Sequence, residues 1–414
     1  MEERIRMVSA PATPVASALR LAYAGCFSAG LFGGMLATLM SVYLPQVVAE
    51  LLVITELEQA GTVGAFINAM FLFGWAVGGI LWGMAGDWHG RSRVLALTIG
   101  FYSLFAMLTA MAPTWPLVVI CRFLTGFGVG GMLVMSHTLI TEIWPEKTRP
   151  VAMGILSVAF PLGIFTAGAV NMVFDDWRQA FLVSVLPALL ALFLWRFLPE
   201  SNQWNSRERR HDKPNVRAAL RDPAFRLNIA IGSIIFGTML IGLWAVFSWL
   251  PTWVESLLED RSGSTERGFS MMIMGAFGIA GGFLSGLVVK LIGLKRTMIL
   301  CYGVCFAVSA LLFKGNVQFS PLIYFELALL AVFFGISQGT LGLYIPLLFP
   351  VESRGLATGL CFNFGRFVTA TAVFFVGAFV VLFNGYGNAI FYFSFVFLAG
   401  LFTLLFSKHR NHFT

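Results

Sequence analysis

Charge is what this sequence has least of. Only 11% of its 414 residues are Asp, Glu, Lys or Arg, against roughly a quarter in soluble domains, which excludes a fold bathed in water on all sides. Cysteine is scarce as well: Cys26, Cys121, Cys301, Cys305 and Cys361 all fall inside apolar stretches, without the paired spacing of a zinc or redox site. No metal or cofactor is expected. A nucleotide-binding loop is also missing, which removes the basis for an ATP-driven pump, and nothing points to an enzyme. The 27 basic residues exceed the 20 acidic ones by 7, an excess that in a soluble protein would suggest nucleic acid. Here the basic residues gather in alternate loops, so membrane topology accounts for them better, and no nucleic-acid partner is expected.

What fills the chain is apolar: 58% of residues are hydrophobic and the mean hydropathy is +0.83. Twelve stretches reach the roughly 20 residues that a bilayer requires: 21–48, 60–84, 94–112, 116–141, 151–174, 179–198, 227–254, 269–292, 297–313, 321–349, 356–383 and 388–407. They are too long for the ten-residue alternation of a membrane barrel. The expectation is an all-α membrane protein. The first stretch is too long for the apolar part of a signal peptide and lacks a convincing cleavage site, so it is expected to remain as a helix. The 43 glycines suit close helix approach in lipid.

The polar punctuation repeats. Gly83, Asp87, Gly90 and Arg93 fall opposite Gly286, Lys290, Gly293 and Arg296, and Pro145, Arg149 and Gly154 fall opposite Pro350, Arg354 and Gly359, at a nearly constant offset. Two halves of six helices are expected, residues 1–199 and 227–414, joined by a basic linker at 200–226 that suits anionic headgroups. Such duplication is how secondary transporters are built. Arg91 and Arg93, Lys147 and Arg149, the linker, and Lys295 and Arg296 all fall on one side. Glu50, Asp175, Asp176 and Glu255 fall on the other. The positive-inside rule then predicts a cytoplasmic-membrane protein with both termini in the cytoplasm.

Gly83, Asp87, Gly90, Arg91 and Arg93 resemble the G-x-x-x-D-R-x-G-R-R/K loop of the major facilitator superfamily, with Trp88 in place of an arginine. Arg122 to Gly126 resembles that family's R-x-x-x-G element, and Glu142, Pro145 and Arg149 its E-x-x-P-x-x-x-R pattern. Leu198-Pro-Glu-Ser201 resembles the P-E-S element of sugar and organic-acid porters. Phe349-Pro350, Arg354-Gly355 and Asn363-Phe-Gly-Arg366 look most like metabolite:proton symporters, including the sialic-acid and monocarboxylate branch. The resemblance implies the major facilitator fold and alternating access. It also implies a gate in which the Asp87 carboxylate meets the start of helix 11 near Gly355, where the helix dipole favours a negative charge. The second half departs from the pattern, with Lys290 for the acid and Leu347 opposite Glu142, so the clasp is expected to depend on the first half.

Charges within the spans are the sharper functional signal, because an unpaired ion in the bilayer costs several kcal/mol. Arg366 lies twelve residues past Arg354, or ~18 Å into the membrane at ~1.5 Å per residue, with Asn363 one turn earlier. Arg366 is expected to hold an anion or a coupling carboxylate. Arg122 and Glu326 occupy matching positions near the outer ends of helices 4 and 10, where a pair across an outer gate stands beside snorkelling to the interface or independent pairing. Glu326 is the first candidate proton carrier, Glu142 the second, and His137 a candidate relay. Asn68, Asn171, Trp244, Trp249, Gln338 and Tyr344 are candidate cavity liners.

Two arginines against one embedded carboxylate favour a small organic anion with a proton as coupling ion. Export of drugs or siderophore-like metabolites remains open, since the loop motif does not fix direction. A sensor that keeps the fold is the alternative of another class.

Overall fold

Apolar runs of this length have one way to satisfy their backbone in lipid, the helix. In the computed structural model twelve helices among the described residues are long and apolar enough to cross a membrane. The structure describes residues 16–52, 57–200, 222–258, 263–349 and 354–407. The helices are α1 Ala16–Leu51, α2 Leu57–His89, α3 Arg91–Ala110, α4 Trp115–Ile143, α5 Arg149–Val173 and α6 Trp177–Phe197 in the first half. In the second they are α7 Pro223–Ser256, α8 Ser264–Ile292, α9 Leu294–Gly315, α10 Leu322–Tyr344, α11 Arg354–Leu382 and α12 Tyr386–Phe406.

Local chemistry moves several boundaries from those expected. The helix α7 starts earlier because the Asp222 carboxylate accepts from Ala224 N–H at 2.9 Å and Pro223 sits at the first helical position. At Val183 and Ser184 α6 is interrupted, where the ring of Pro187 would clash with the Val183 carbonyl of a continuous helix. The tenth span stops at Tyr344 and gives way to a 3-10 turn at Pro346–Leu348, since Pro346 has no N–H to continue the ladder. The repeated glycines Gly90 and Gly293 occupy the same turn in each half, with φ of 101° and 86°. That left-handed backbone is accessible to glycine at little cost and reverses the chain sharply between α2 and α3 and between α8 and α9.

Within each half, helices touch backbone to backbone. On α2 and α4, Gly74, Gly78, Gly126 and Gly130 are spaced so that each faces a carbonyl of the other helix, and a Cβ at any of them would overlap Phe123, Phe127, Phe71 or Trp75 O respectively. The matching pair α8 and α10 meets in the same way at Gly281 against Val332 and Gly335 against Gly278. Between the halves, α2 packs on α11 and α5 on α8. The α5–α8 seam is not closed along its whole length. Gly168 lies against Gly268 and Gly275 against Phe165, while Gly154, Gly282 and Gly286 face open space. The helices α5 and α8 therefore diverge toward the end that carries the Gly90 and Gly293 turns, here the near end. At the far end the halves are joined by Gly61 against Gly377, by the Phe66 and Phe374 rings at 4.8 Å, and by Asn68 donating to Ser248 O at 3.2 Å.

The glycine seams generate a test. Gly126→Ala should destabilise the bundle by about 1–3 kcal/mol, the range for overpacking, because the obstacle is backbone that cannot rotate away. Gly303→Ala on α9, where a Cβ meets nothing within 4 Å, should be neutral or stabilise by up to about 1 kcal/mol through helix propensity. Thermal unfolding of the two purified variants compares them, and equal effects would show that the α2–α4 seam has slack.

Candidate functional site

The divergence of α5 and α8 leaves a cavity of about 780 Å³ between the halves, lined by both. Its walls are mostly aromatic and aliphatic. Trp75 of α2 meets Trp244 of α7 edge-on at 5.4 Å and tilts against Phe160 of α5 at 5.4 Å. Among the described residues that line the cavity, Arg366 carries the charge and none is Asp or Glu. The guanidinium carbon stands 6.0 Å from the ring centres of both Trp75 and Phe236, a cation held between aromatic faces. Among the described residues, Arg366 makes no hydrogen bond and no ion pair. His137 and Gln338 complete the polar wall. The Gln338 amide nitrogen is buried without an acceptor, whereas His137 Nδ1 is 2.8 Å from Leu133 O one turn back on α4.

Other expected liners lie elsewhere. Asn363 donates to Gly359 O at 3.0 Å on its own helix and stands by Gly79 on the α2 side. Tyr344 is buried outside the cavity lining. Trp249 stacks on Tyr386 at 5.6 Å, and Asn171 is buried near Gly268 at the far end.

Of the two readings of Arg122 and Glu326, the pair across an outer gate is not formed and each has partners of its own. Arg122 is 1% exposed; its Nη1 and Nη2 donate to Leu36 O and Ala37 O of α1 at 2.9 and 3.1 Å, and its guanidinium lies 4.2 Å over the Phe71 ring. Carbonyl dipoles and a ring face thus answer this cation, and it ties α4 to α1 and α2. Nor is Glu326 deeply embedded. It sits in the second turn of α10, where the α9–α10 connection brings Asn316 close enough to donate to it at 2.7 Å, and it does not line the cavity.

At the near end the hub is Arg91, 3% exposed. It reaches Asp87 at 2.7 Å and Glu142 at 3.1 Å and donates to Gly86 O at 2.5 Å, which binds the ends of α2 and α4 to the start of α3. Glu142, the second candidate carrier, is held in this network away from the cavity. The side chains around Gly355 and that of Arg354, the expected partner of Asp87, lie outside the described residues. The carboxylate found on a helix start is Glu200, from the Pro-Glu-Ser element: Oε1 accepts from Arg91 N–H at 2.8 Å and from Ser92 N–H at 3.1 Å. This fixes the end of α6 to the positive end of α3. Arg149 closes the α4–α5 turn on Trp144 O at 3.1 Å, and Arg93 is exposed. Sequence reasoning singled out the element that carries Glu200 without giving the carboxylate a role, and it missed Trp75, for a Trp in a span has many ordinary uses.

Known proteins share this architecture. The chain is 27% identical over 374 residues to the cis,cis-muconate transport protein of Acinetobacter baylyi, covering 85% of this chain and 86% of that one. It is 28% identical to the sialic acid transporter NanX of Escherichia coli, with 79% of each chain covered. The inward-open structure of the E. coli xylose transporter XylE superposes with a TM-score of 0.77 at 19% identity, over 96% of this chain and 98% of that one. The sequence profile of the Major Facilitator Superfamily matches residues 23–373; this twelve-helix membrane transporter belongs to that family.

Proposed function

We propose that the protein is a secondary transporter that carries a small organic anion, together with a proton, across the cytoplasmic membrane by alternating access. One observation carries this reading: the Arg366 guanidinium faces an apolar cavity without a countercharge from the described residues. A cation in that setting is costly unless an anion answers it, and a planar guanidinium suits a carboxylate through two parallel hydrogen bonds. The names of the two sequence relatives, a muconate and a sialic acid transporter, belong to acids and support the same class.

Orientation follows from charge. The near end carries Arg91, Arg93, Lys147, Arg149, Lys295 and Arg296. The far-end arginines Arg178 and Arg267 are paired, with Glu50 at 2.8 Å and Glu255 at 2.6 Å. The near end is therefore the cytoplasmic face, and the cavity described above is open inward.

A panel of benzoate, N-acetylneuraminate, cis,cis-muconate and neutral D-xylose, screened by thermal shift on the purified protein, tests the reading. A bound acid should stabilise the protein by about 2.7 kcal/mol at roughly 100 times its Kd, and D-xylose should not. Arg366→Lys should weaken acid binding tenfold or more, about 1.4 kcal/mol, since a point charge replaces the fork. Arg366→Gln should abolish it while still giving a cooperative melt. Unchanged affinity in folded Arg366→Gln would refute the anion role, and absence of saturable uptake into proteoliposomes by a protein that binds acid would favour a sensor.

A further inference from the structure

The reading above leaves the coupling proton without a carrier, because the two carboxylates expected to take it are engaged elsewhere. Glu326 is bonded to Asn316, and Glu142 belongs to the Arg91 hub. We infer that His137 is the proton-binding group, that His137 and Arg366 form a two-cation cradle around one monoanion, and that each anion crosses with one proton and no net charge. This rests on the anion reading of Arg366.

The imidazole's orientation supplies the first part. A carbonyl oxygen only accepts, so the 2.8 Å contact with Leu133 O places a hydrogen on Nδ1. In the neutral ring Nε2 is then the lone pair, available to the cavity that His137 lines. A hydronium ion gives its proton to that lone pair, its O–H bond breaking as the Nε2–H bond forms and water is released while the Nδ1 contact to Leu133 O is kept, and the proton returns to water when the cavity faces the other side.

The surroundings supply the second. From α11, Arg366 lines the same cavity as His137. From α1 the facing titratable group is Cys26, a thiol, which ordinarily titrates above imidazole. The lining residues of α2, α5, α7, α8 and α10 carry no charge. On α4 itself, Glu142 is held by Arg91. In the empty cavity a protonated imidazole and the guanidinium would repel each other. An anion on Arg366 cancels that repulsion, so anion and proton each favour the binding of the other, and by linkage the coupling is reciprocal. Charge also balances. The empty cavity holds one positive charge, on Arg366; the loaded one holds two cations and one anion, again one net positive charge. The loaded and empty crossings then move the same charge, and membrane voltage does no work on the cycle.

The test uses benzoate and N-acetylneuraminate, the monocarboxylates of the panel. Between about pH 6 and 8, where carboxylic acids stay ionised, wild-type affinity should rise as pH falls, by up to about tenfold per unit for one linked proton. Binding in weak buffer should remove protons from solution. His137→Gln and, in case that variant folds poorly, His137→Asn should bind the acid with an affinity independent of pH, take up no proton, and lose uphill uptake driven by a pH gradient. In wild-type proteoliposomes a pH gradient should drive accumulation and a potassium diffusion potential should not. Proton uptake that survives in folded His137 variants would overturn the assignment, as would pH-independent binding by the wild type, with the anion reading left standing. Voltage-driven accumulation, or binding of cis,cis-muconate alone, would overturn the charge balance. Failure of every acid to bind would overturn the anion reading and this inference with it.

Discussion

In hydrocarbon a polar side chain has no water to fall back on, so every ion or amide at depth must be answered by the protein or by something the protein holds. Arg122 and Arg366 show the two outcomes. Arg122 bonds two carbonyls of α1 through its Nη atoms and lies on the face of Phe71, with Nε left unpaired, and these contacts tie α4 to α1 and α2. Arg366 has rings around it and no acceptor among the described residues. The same residue type is bonded to the protein's own backbone in one helix and has no such partner among the described residues in the other. The difference is where the neighbouring helices come close enough to offer carbonyl oxygens.

That closeness depends on glycine. The α2–α4 and α8–α10 seams bring backbones together because a Cβ is missing at each crossing, and tight packing of this kind lets helix groups move as units. The seams between the halves use fewer such contacts: α5 and α8 touch at Gly168 and Gly268 and separate toward Gly154, Gly282 and Gly286. The cavity is the consequence. Its mouth is open where the seam is loose, and it is shut at the far end where Gly61 meets Gly377 and Asn68 holds Ser248 O.

At the near end, Arg91 and Glu200 hold the helix ends of the first half together. The first gathers the ends of α2 and α4 through two carboxylates and a carbonyl; the second caps α3 from the far side of the same half. A carboxylate on a helix start is worth up to about 1 kcal/mol at exposed sites, and both contacts lie within one half. They hold that half together whichever way the transporter faces.

Twelve spans, their all-helical state, the duplication and the membrane setting were legible in the sequence, because hydropathy and loop charge act over about 20 residues and need no partner to be read. The sharp turns at Gly90 and Gly293 were marked too, since their left-handed backbone all but demands the residue that stands there. Pairings were not legible. Arg122 and Glu326 matched in sequence position, yet one found α1 and the other Asn316, since a long side chain bonds whatever acceptor or donor the packing brings within about 3 Å. His137, Gln338, Trp75 and Arg366 come from four helices and share one wall only through the crossing of α2, α4, α10 and α11. Sequence alone determined which groups must be answered inside the membrane; the tertiary structure decided which of them find a partner among the described residues and which do not, because only packing sets the distances at which charges and dipoles act.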